Sequence, residues 1–374
     1  MFYEKKVMNA NKALFTSIEL GTYTLPNRII MPAMTRNRTG GHGIPSELNA
    51  EYYAQRATAG LIVTEGTYPH PTSRAYTGQP GIYTDEQVAG WRLVTDAVHQ
   101  ASGRIFLQIH HAGRISHPSL LPNGILPVAP SAVRPKGEVH TPFGKDEYQT
   151  PRALELHEIP QVVEMFRNAT ERAVEAGFDG VELHGANGYL PHSFLSSLTN
   201  LRTDEYGGSV ENRSRFFLEV VKAMISVRGG QYVGVKVSPW KFLPHDIEET
   251  DTQAIYPYLA QQLSDLNLAY LHIQLPMVTF GNQPDAPFDL AKLIRPHFKG
   301  TMMVDGSLDK ETAHARLESG DADLIAFGRA FLANPDLPQR LRLNTSLNEV
   351  DYNTFYTLGV KGYTDYPTLQ LANQ

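Results

Sequence analysis

Residues 162–184 read VVEMFRNATERAVEAGFDGVELH. Val162, Phe166, Ala169, Ala173 and Ala176 recur at steps of four and three, the period of a helix with one buried face. The run Gly180–His184 that follows is short and mostly apolar, so here a helix feeds a strand. Outward from this unit the alternation repeats. Strand runs at Arg28–Met34, Leu61–Gly66 and Arg104–His110 precede it, and Val233–Ser238, Tyr270–Leu275, Thr301–Asp305 and Leu324–Phe327 follow. Phe216, Val220, Ala223 and Val227 restore the helical period before the fifth strand, and Pro160 stands where a first helical turn tolerates proline. Alternating strands and helices imply a parallel sheet. Eight such units point to a closed (β/α)8 barrel of the TIM type rather than an open doubly wound sheet.

The chain of 374 residues carries no linker, low-complexity tract or short repeat that would divide it. Residues 14–374 therefore read as one barrel domain behind an N-terminal extension, 1–13. The stretch Ile125–Ala153 is proline-rich and holds two strand-like runs, Ile125–Val133 and Glu147–Thr150. It reads as an insertion after strand three, a hairpin over the barrel mouth.

A net charge of −6 without a basic stripe argues against nucleic acid as a partner. No apolar run is long enough to cross a bilayer, and Met1–Leu14 lacks the apolar core of a secretory signal. With no cysteine, the sequence excludes disulfides, thiolate zinc sites and cysteine-ligated iron–sulfur clusters, and no metal site is expected. This composition fits a cytoplasmic protein.

In such barrels the active site forms from the loops after the strands, and phosphate often binds after strands seven and eight. Strand seven ends Asp305-Gly306-Ser307 and strand eight ends Phe327-Gly328-Arg329. Glycines let backbone N–H groups approach phosphate oxygens, a following helix N-terminus favours an anion, and arginine can fork onto it. The plainer reading, two turn glycines, is weakened by their place at the two expected strand ends with an arginine beside one. Strand four ends His184-Gly185-Ala186-Asn187-Gly188-Tyr189, three hydrogen-bonding side chains spaced by glycines. They can hold an oxygen and donate a proton, because a free tyrosine titrates near pH 10 and is protonated at neutrality. These residues alone leave the reaction open.

The stretch His184-Gly-Ala-Asn-Gly-Tyr189-Leu190, followed by Phe194-Leu195 and by Asn200-Leu-Arg202-Thr-Asp204-Glu-Tyr206-Gly-Gly-Ser209-Val-Glu211-Asn212-Arg213, resembles the signature of the old yellow enzyme family. Further matching pieces are Asn27-Arg28, Met34-Thr35-Arg36, Tyr52 to Ala57, Thr64-Glu65-Gly66, Phe106-Leu107-Gln108, Gly113-Arg114 and Gly362 to Pro367. The similarity runs from Leu14 to about Thr368. It implies an ene-reductase that uses noncovalent FMN and NADPH or NADH, in two half-reactions, on small enone, enal or nitro substrates. A monomer or homodimer is implied with it. The matching cofactor positions are Ala33, Met34, Thr35, Gly66, Gln108 and Lys236, with Gly306, Ser307, Gly328 and Arg329 at the phosphate. By the same resemblance, His184 and Asn187 grip the substrate oxygen and Tyr189 protonates the α-carbon after hydride reaches the β-carbon. Tyr356 and Tyr76 line the pocket, with ordinary surface packing as the plainer role for Tyr76.

Four positions depart from the family pattern. Ala33 stands where proline is common, and His110 where tryptophan is common. Lys236 replaces an arginine, keeping the charge but losing the planar fork. Pro191-His192 stands where apolar or acidic residues are common, and His192 reads as structural. Two other readings compete. A hydrolytic barrel would draw on Glu65, Glu182 and Asp305; Glu182 and His184 lie two apart on one strand and share a face. A catalytically silent flavin- or phosphate-binding barrel is disfavoured by the intact His184, Asn187, Tyr189 and Thr35.

Overall fold

The computed structural model describes residues 13–238, 245, 250–276 and 289–369; the extension at 1–13 lies almost wholly outside them. Eight parallel strands close into a barrel. They are β1 (Ile29–Met31), β2 (Leu61–Val63), β3 (Ile105–Ile109), β4 (Gly180–Gly185), β5 (Val233–Val237), β6 (Tyr270–Gln274), β7 (Met302–Asp305) and β8 (Leu324–Ala326). Helices α1 (Glu47–Ala54), α2 (Asp85–Gln100), α3 (Ile159–Glu175), α4 (Val210–Arg228), α5 (Thr252–Ser264), α6 (Leu290–Ile294), α7 (Lys310–Ser319) and α8 (Gly328–Ala333) follow them in turn. The (β/α)8 expectation holds.

The five residues at the helical period, Val162, Phe166, Ala169, Ala173 and Ala176, are all buried. Their stripe seats α3 against β3 and β4 in the main core, between strands and helices. On α4 the buried face is Phe216, Phe217, Val220, Val221 and Met224; Ala223 and Val227 are only half-buried, so the expected stripe is rotated. Both faces of the strands are covered, which makes them near-continuous apolar runs.

Most strands end a residue or more before the expected boundary. The expected Arg28–Met34 is a three-residue ladder that stops at Pro32, which has no N–H to give. The insertion is a hairpin, but elsewhere than expected: its strands are Glu138–Thr141 and Gly144–Glu147. Ile125–Val133 supplies only the pair Val128–Ala129, bracketed by Pro127 and Pro130, which lies parallel to Arg152–Ala153 at the base of the insertion. A second hairpin, Ile18–Leu20 with Tyr23–Leu25, was not expected. Its Leu20 and Leu25 join Ile30, Leu61, Phe106, Tyr270 and Leu324 in a separate apolar cluster at the N-terminal ends of the strands. One end of the barrel is thereby plugged, and chemistry is left to the other.

Candidate active site

Four strand ends bring together the residues expected on the substrate side. Gly185 closes β4, and Asn187 then takes a left-handed conformation (φ 56°) tolerated by asparagine, which turns the chain. The Asn187 N–H donates to Ser238 Oγ at 2.8 Å, just beyond β5. Its Nδ2 donates to Gln274 Oε1 at 3.1 Å, at the end of β6. The Asn187 Oδ1 and His184 Nδ1 atoms are buried without a hydrogen-bond partner. Burial first, then His110, Lys236 and His245, holds the His184 imidazole well below its usual pKa, so the ring is neutral.

Tyr189 lies edge-on to His184 and His110, with ring centroids 4.7 and 4.0 Å away. Its hydroxyl is 2.7 Å from the hydroxyl of Tyr76. Burial, with Tyr76, Tyr148 and Tyr356 after it, pushes the Tyr189 hydroxyl well above 10. Tyr189 is therefore a protonated donor at any ordinary pH. This hydrogen bond sets Tyr76, itself half-buried, against Tyr189. Tyr356 is 64% exposed at the rim. The insertion covers the group: its Val139 and Tyr148 pack with Ile115, Leu120 and Tyr189.

His110 is fixed by Gln79. Gln79 Oε1 accepts from the Ala75 N–H at 2.8 Å, so its Nε2 is the end that meets Gly66 O (2.9 Å) and His110 Nδ1 (2.7 Å). The Nδ1 atom must accept, which leaves the proton on Nε2. Burial holds the ring neutral, its pKa lowered to about 3.

On the cofactor side, the expected positions ring the same end of the barrel. Gly66 is tightly placed: a Cβ there would lie 3.2 Å from His110 and 3.3 Å from Gln108 Oε1. Gly328 faces Met34, whose sulfur would sit 3.5 Å from such a Cβ. Gly306 has φ +150°, a conformation side chains rarely adopt. Arg329 Nη2 donates to Ser307 Oγ at 3.2 Å, drawing the loops after β7 and β8 together. Ala33 and Thr35 are half-buried beyond β1. The loop carrying Thr35 is held by Glu65, whose Oε2 accepts the Arg36 and Asn37 N–H groups at 2.9 and 3.1 Å.

Below this ring runs a buried polar chain that the sequence reading did not assemble. Gln108 Nε2 donates to Glu182 Oε1 at 2.7 Å, and Glu182 Oε2 lies 3.0 Å from His272 Nδ1. His272 Nε2 is 3.3 Å from Asp305 Oδ2, and Lys236 Nζ donates to the same oxygen at 2.7 Å. Burial would raise Asp305, but Lys236 and His272 outweigh it and hold the carboxyl at about 2. Burial and Lys236 press on His272, yet Asp305 and Glu182 hold the imidazole above its usual value. The missed residue is His272. Its signal was a histidine in the middle of a strand run, Tyr270–Leu275, that is apolar apart from it and Gln274. The carboxylates that a hydrolase would need are engaged here: Glu65 on backbone amides, Glu182 and Asp305 on cationic partners.

Against known proteins, residues 13–348 match the model of the NADH:flavin oxidoreductase / NADH oxidase family. The chain is 40% identical to 12-oxophytodienoate reductase 7 of Oryza sativa subsp. japonica over 375 residues, covering 95% of this chain and 94% of the relative. It is 46% identical to morphinone reductase solved in complex with tetrahydroNAD, with a TM-score of 0.91, across 97% of this chain and 99% of the other. The old yellow enzyme homologue of Zymomonas mobilis is 42% identical, with a TM-score of 0.92, across 96% and 100%.

Proposed function

We infer the reaction from one premise: the chain belongs to the NADH:flavin oxidoreductase / NADH oxidase family, within the old yellow enzyme group, and is an FMN-dependent ene-reductase. The finer reading is that it reduces small α,β-unsaturated carbonyl or nitro compounds at the expense of NADPH or NADH. FMN suits the donors at hand: a glycine-lined, arginine-bearing pair of loops for a phosphate, and an amide and a cation for a polar ring edge. Thr35, Gln108 and Lys236 would meet the ring, with Ala33, Met34 and Gly66 against it, and Gly306, Ser307, Gly328 and Arg329 would hold the phosphate. When bound, FMN supplies the hydride, taken from the nicotinamide and given to the β-carbon.

The chain's own residues do the rest. His184 and Asn187 would hold the substrate oxygen and stabilise the negative charge that grows there, which is where preorganised donors contribute most. Asn187 keeps one Nδ2 hydrogen for this after serving Gln274. Tyr189 would deliver a proton from its hydroxyl to the α-carbon. Tyr76, half-buried and in contact through a 2.7 Å hydrogen bond, would return a proton to it from the solvent side. The carrying observation is the convergence of His184, Asn187 and a protonated, buried Tyr189 on one pocket.

Stopped-flow measurement of each half-reaction tests this. Tyr189→Phe should leave flavin reduction by NADPH nearly intact and slow reoxidation by cyclohexenone by about 10²–10⁴-fold, the usual cost of a lost general acid. Reoxidation by a quinone, which needs no carbon protonation, should be spared. His184→Ala with Asn187→Ala should weaken enone binding as well as the chemical step. Equal slowing of both half-reactions in Tyr189→Phe would reduce that residue to a structural role.

A further inference from the structure

We propose that Asp305 is a positioning residue that pins Lys236 and cancels most of its charge, thereby holding down the reduction potential of the flavin the two would share. The inference rests on the FMN reading above. Lys236 Nζ and Asp305 Oδ2 are 2.7 Å apart, and both residues are buried, at 5% and 7% exposure. An ion pair so placed is kept: removing one partner leaves an uncompensated buried charge. Asp305 is also the last residue of β7, directly ahead of Gly306 and Ser307, so its carboxylate lies between the expected phosphate loop and the expected ring contact.

The surrounding charges close this account. Two carboxylates, Glu182 and Asp305, face one lysine and one imidazole, His272, in an unbroken chain from Gln108 to Lys236. The two ends of that chain are the two side chains assigned to the polar edge of the ring. Glu182 fixes one end by occupying Gln108 Nε2, so that Gln108 turns its carbonyl oxygen toward Gly66. Asp305 fixes the other. Reduction adds negative charge to the bound group. A lone buried lysine beside it would favour that charge strongly, whereas a lysine already balanced at 2.7 Å favours it far less. Lys236, standing where the family resemblance places arginine, is thus paired with a carboxylate that withholds its charge.

The test is the midpoint potential of FMN-loaded enzyme, measured against redox dyes for the parent, Asp305→Asn, Lys236→Met and the double variant. Asp305→Asn should shift the potential positive and Lys236→Met negative, each changing the reduced-to-oxidised ratio at fixed ambient potential by about tenfold or more. The double variant, which exchanges a charged pair for a neutral one, should return close to the parent. A merely structural pair would not produce opposite shifts that cancel. An Asp305→Asn enzyme that stays yellow with an unmoved potential overturns the proposal. Should that variant not fold, equal potentials for Lys236→Met and the double variant overturn it equally, because Asp305 then contributes nothing. A parent protein that binds no FMN fails differently, taking down the functional reading itself and this inference with it.

Discussion

Acidification should destabilise this protein steeply between pH 6.5 and about 4, because its pocket is built on histidines that fold neutral. His110 and His111 are lowered to about 3 and His245 to about 4, in each case chiefly by burial. His184 is lowered in the same sense. Geometry agrees: Nδ1 of His110 accepts from Gln79, and Nδ1 of His111 accepts from the Gly113 N–H at 3.1 Å, so a second proton would set N–H against N–H. A base whose folded pKa lies below its unfolded one binds its proton preferentially in the unfolded chain. Stability is therefore complete above the unfolded pKa and falls as pH drops below it. The loss is about 1.4 kcal/mol per pH unit for each such group. At pH 5.5 the three with stated values together cost about 4 kcal/mol relative to pH 8, a large share of the ~5–15 kcal/mol that holds a typical domain. His272, held above its usual value, contributes in the opposite direction. Asp305, held at about 2, gives up its contribution only below the ordinary carboxyl range. Urea unfolding followed by intrinsic fluorescence, with FMN saturating at every pH, measures the effect. His111→Gln should flatten the dependence by about one proton. A urea midpoint that does not move between pH 8 and 5.5 would refute the reasoning.

Arg329→Ala should raise the FMN dissociation constant by tenfold or more, since a forked, charge-assisted contact is worth roughly 1.5–3 kcal/mol. The residual holoenzyme should still pass hydride at the parental rate; equal FMN affinity would remove Arg329 from the phosphate site. Glu65→Gln should cost about 1–3 kcal/mol and weaken FMN binding. A neutral amide is a poorer acceptor than the carboxylate for the N–H groups of Arg36 and Asn37, and the loop carrying Thr35 would loosen. An unchanged urea midpoint with unchanged FMN affinity would show that Glu65 does not brace that loop.

What the sequence made legible was local. The stripe from Val162 to Ala176 and the run ending at His184 revealed helix and strand because burial imposes a period on neighbours in the chain. Strand ends were overrun, since β-propensity continues past the last ladder bond while Pro32 cannot. The insertion was recognised by its prolines, but the same prolines pushed its pairing to Glu138–Glu147, a polar stretch without an alternating apolar pattern. The plug formed by Ile18–Leu25 was too short to stand out. At the site, His184, Asn187 and Tyr189 are consecutive enough to be seen together. Lys236 and Asp305 are 69 positions apart, and His272 meets Glu182 across 90. Such pairs exist only through barrel closure and register. Gln79 and Tyr148 likewise reach the pocket from loops whose path no periodicity reports.

The arrangement also explains why one strand dominates the site. Side chains two apart on a strand share a face, and β4 points both Glu182 and His184 inward, one layer above the other. Glu182, fully buried, faces the layer of Gln108, His272, Asp305 and Lys236, which fixes the charge beneath the mouth. His184 faces the layer of His110, Asn187 and Tyr189, which is kept free of charge by burial. The paired ions lie where each has a partner within hydrogen-bonding reach, while His184 and Tyr189 above them are neutral. On the proposed reading, such neutral donors hold a substrate oxygen and gain further when charge develops on it, so their binding energy appears in both affinity and rate.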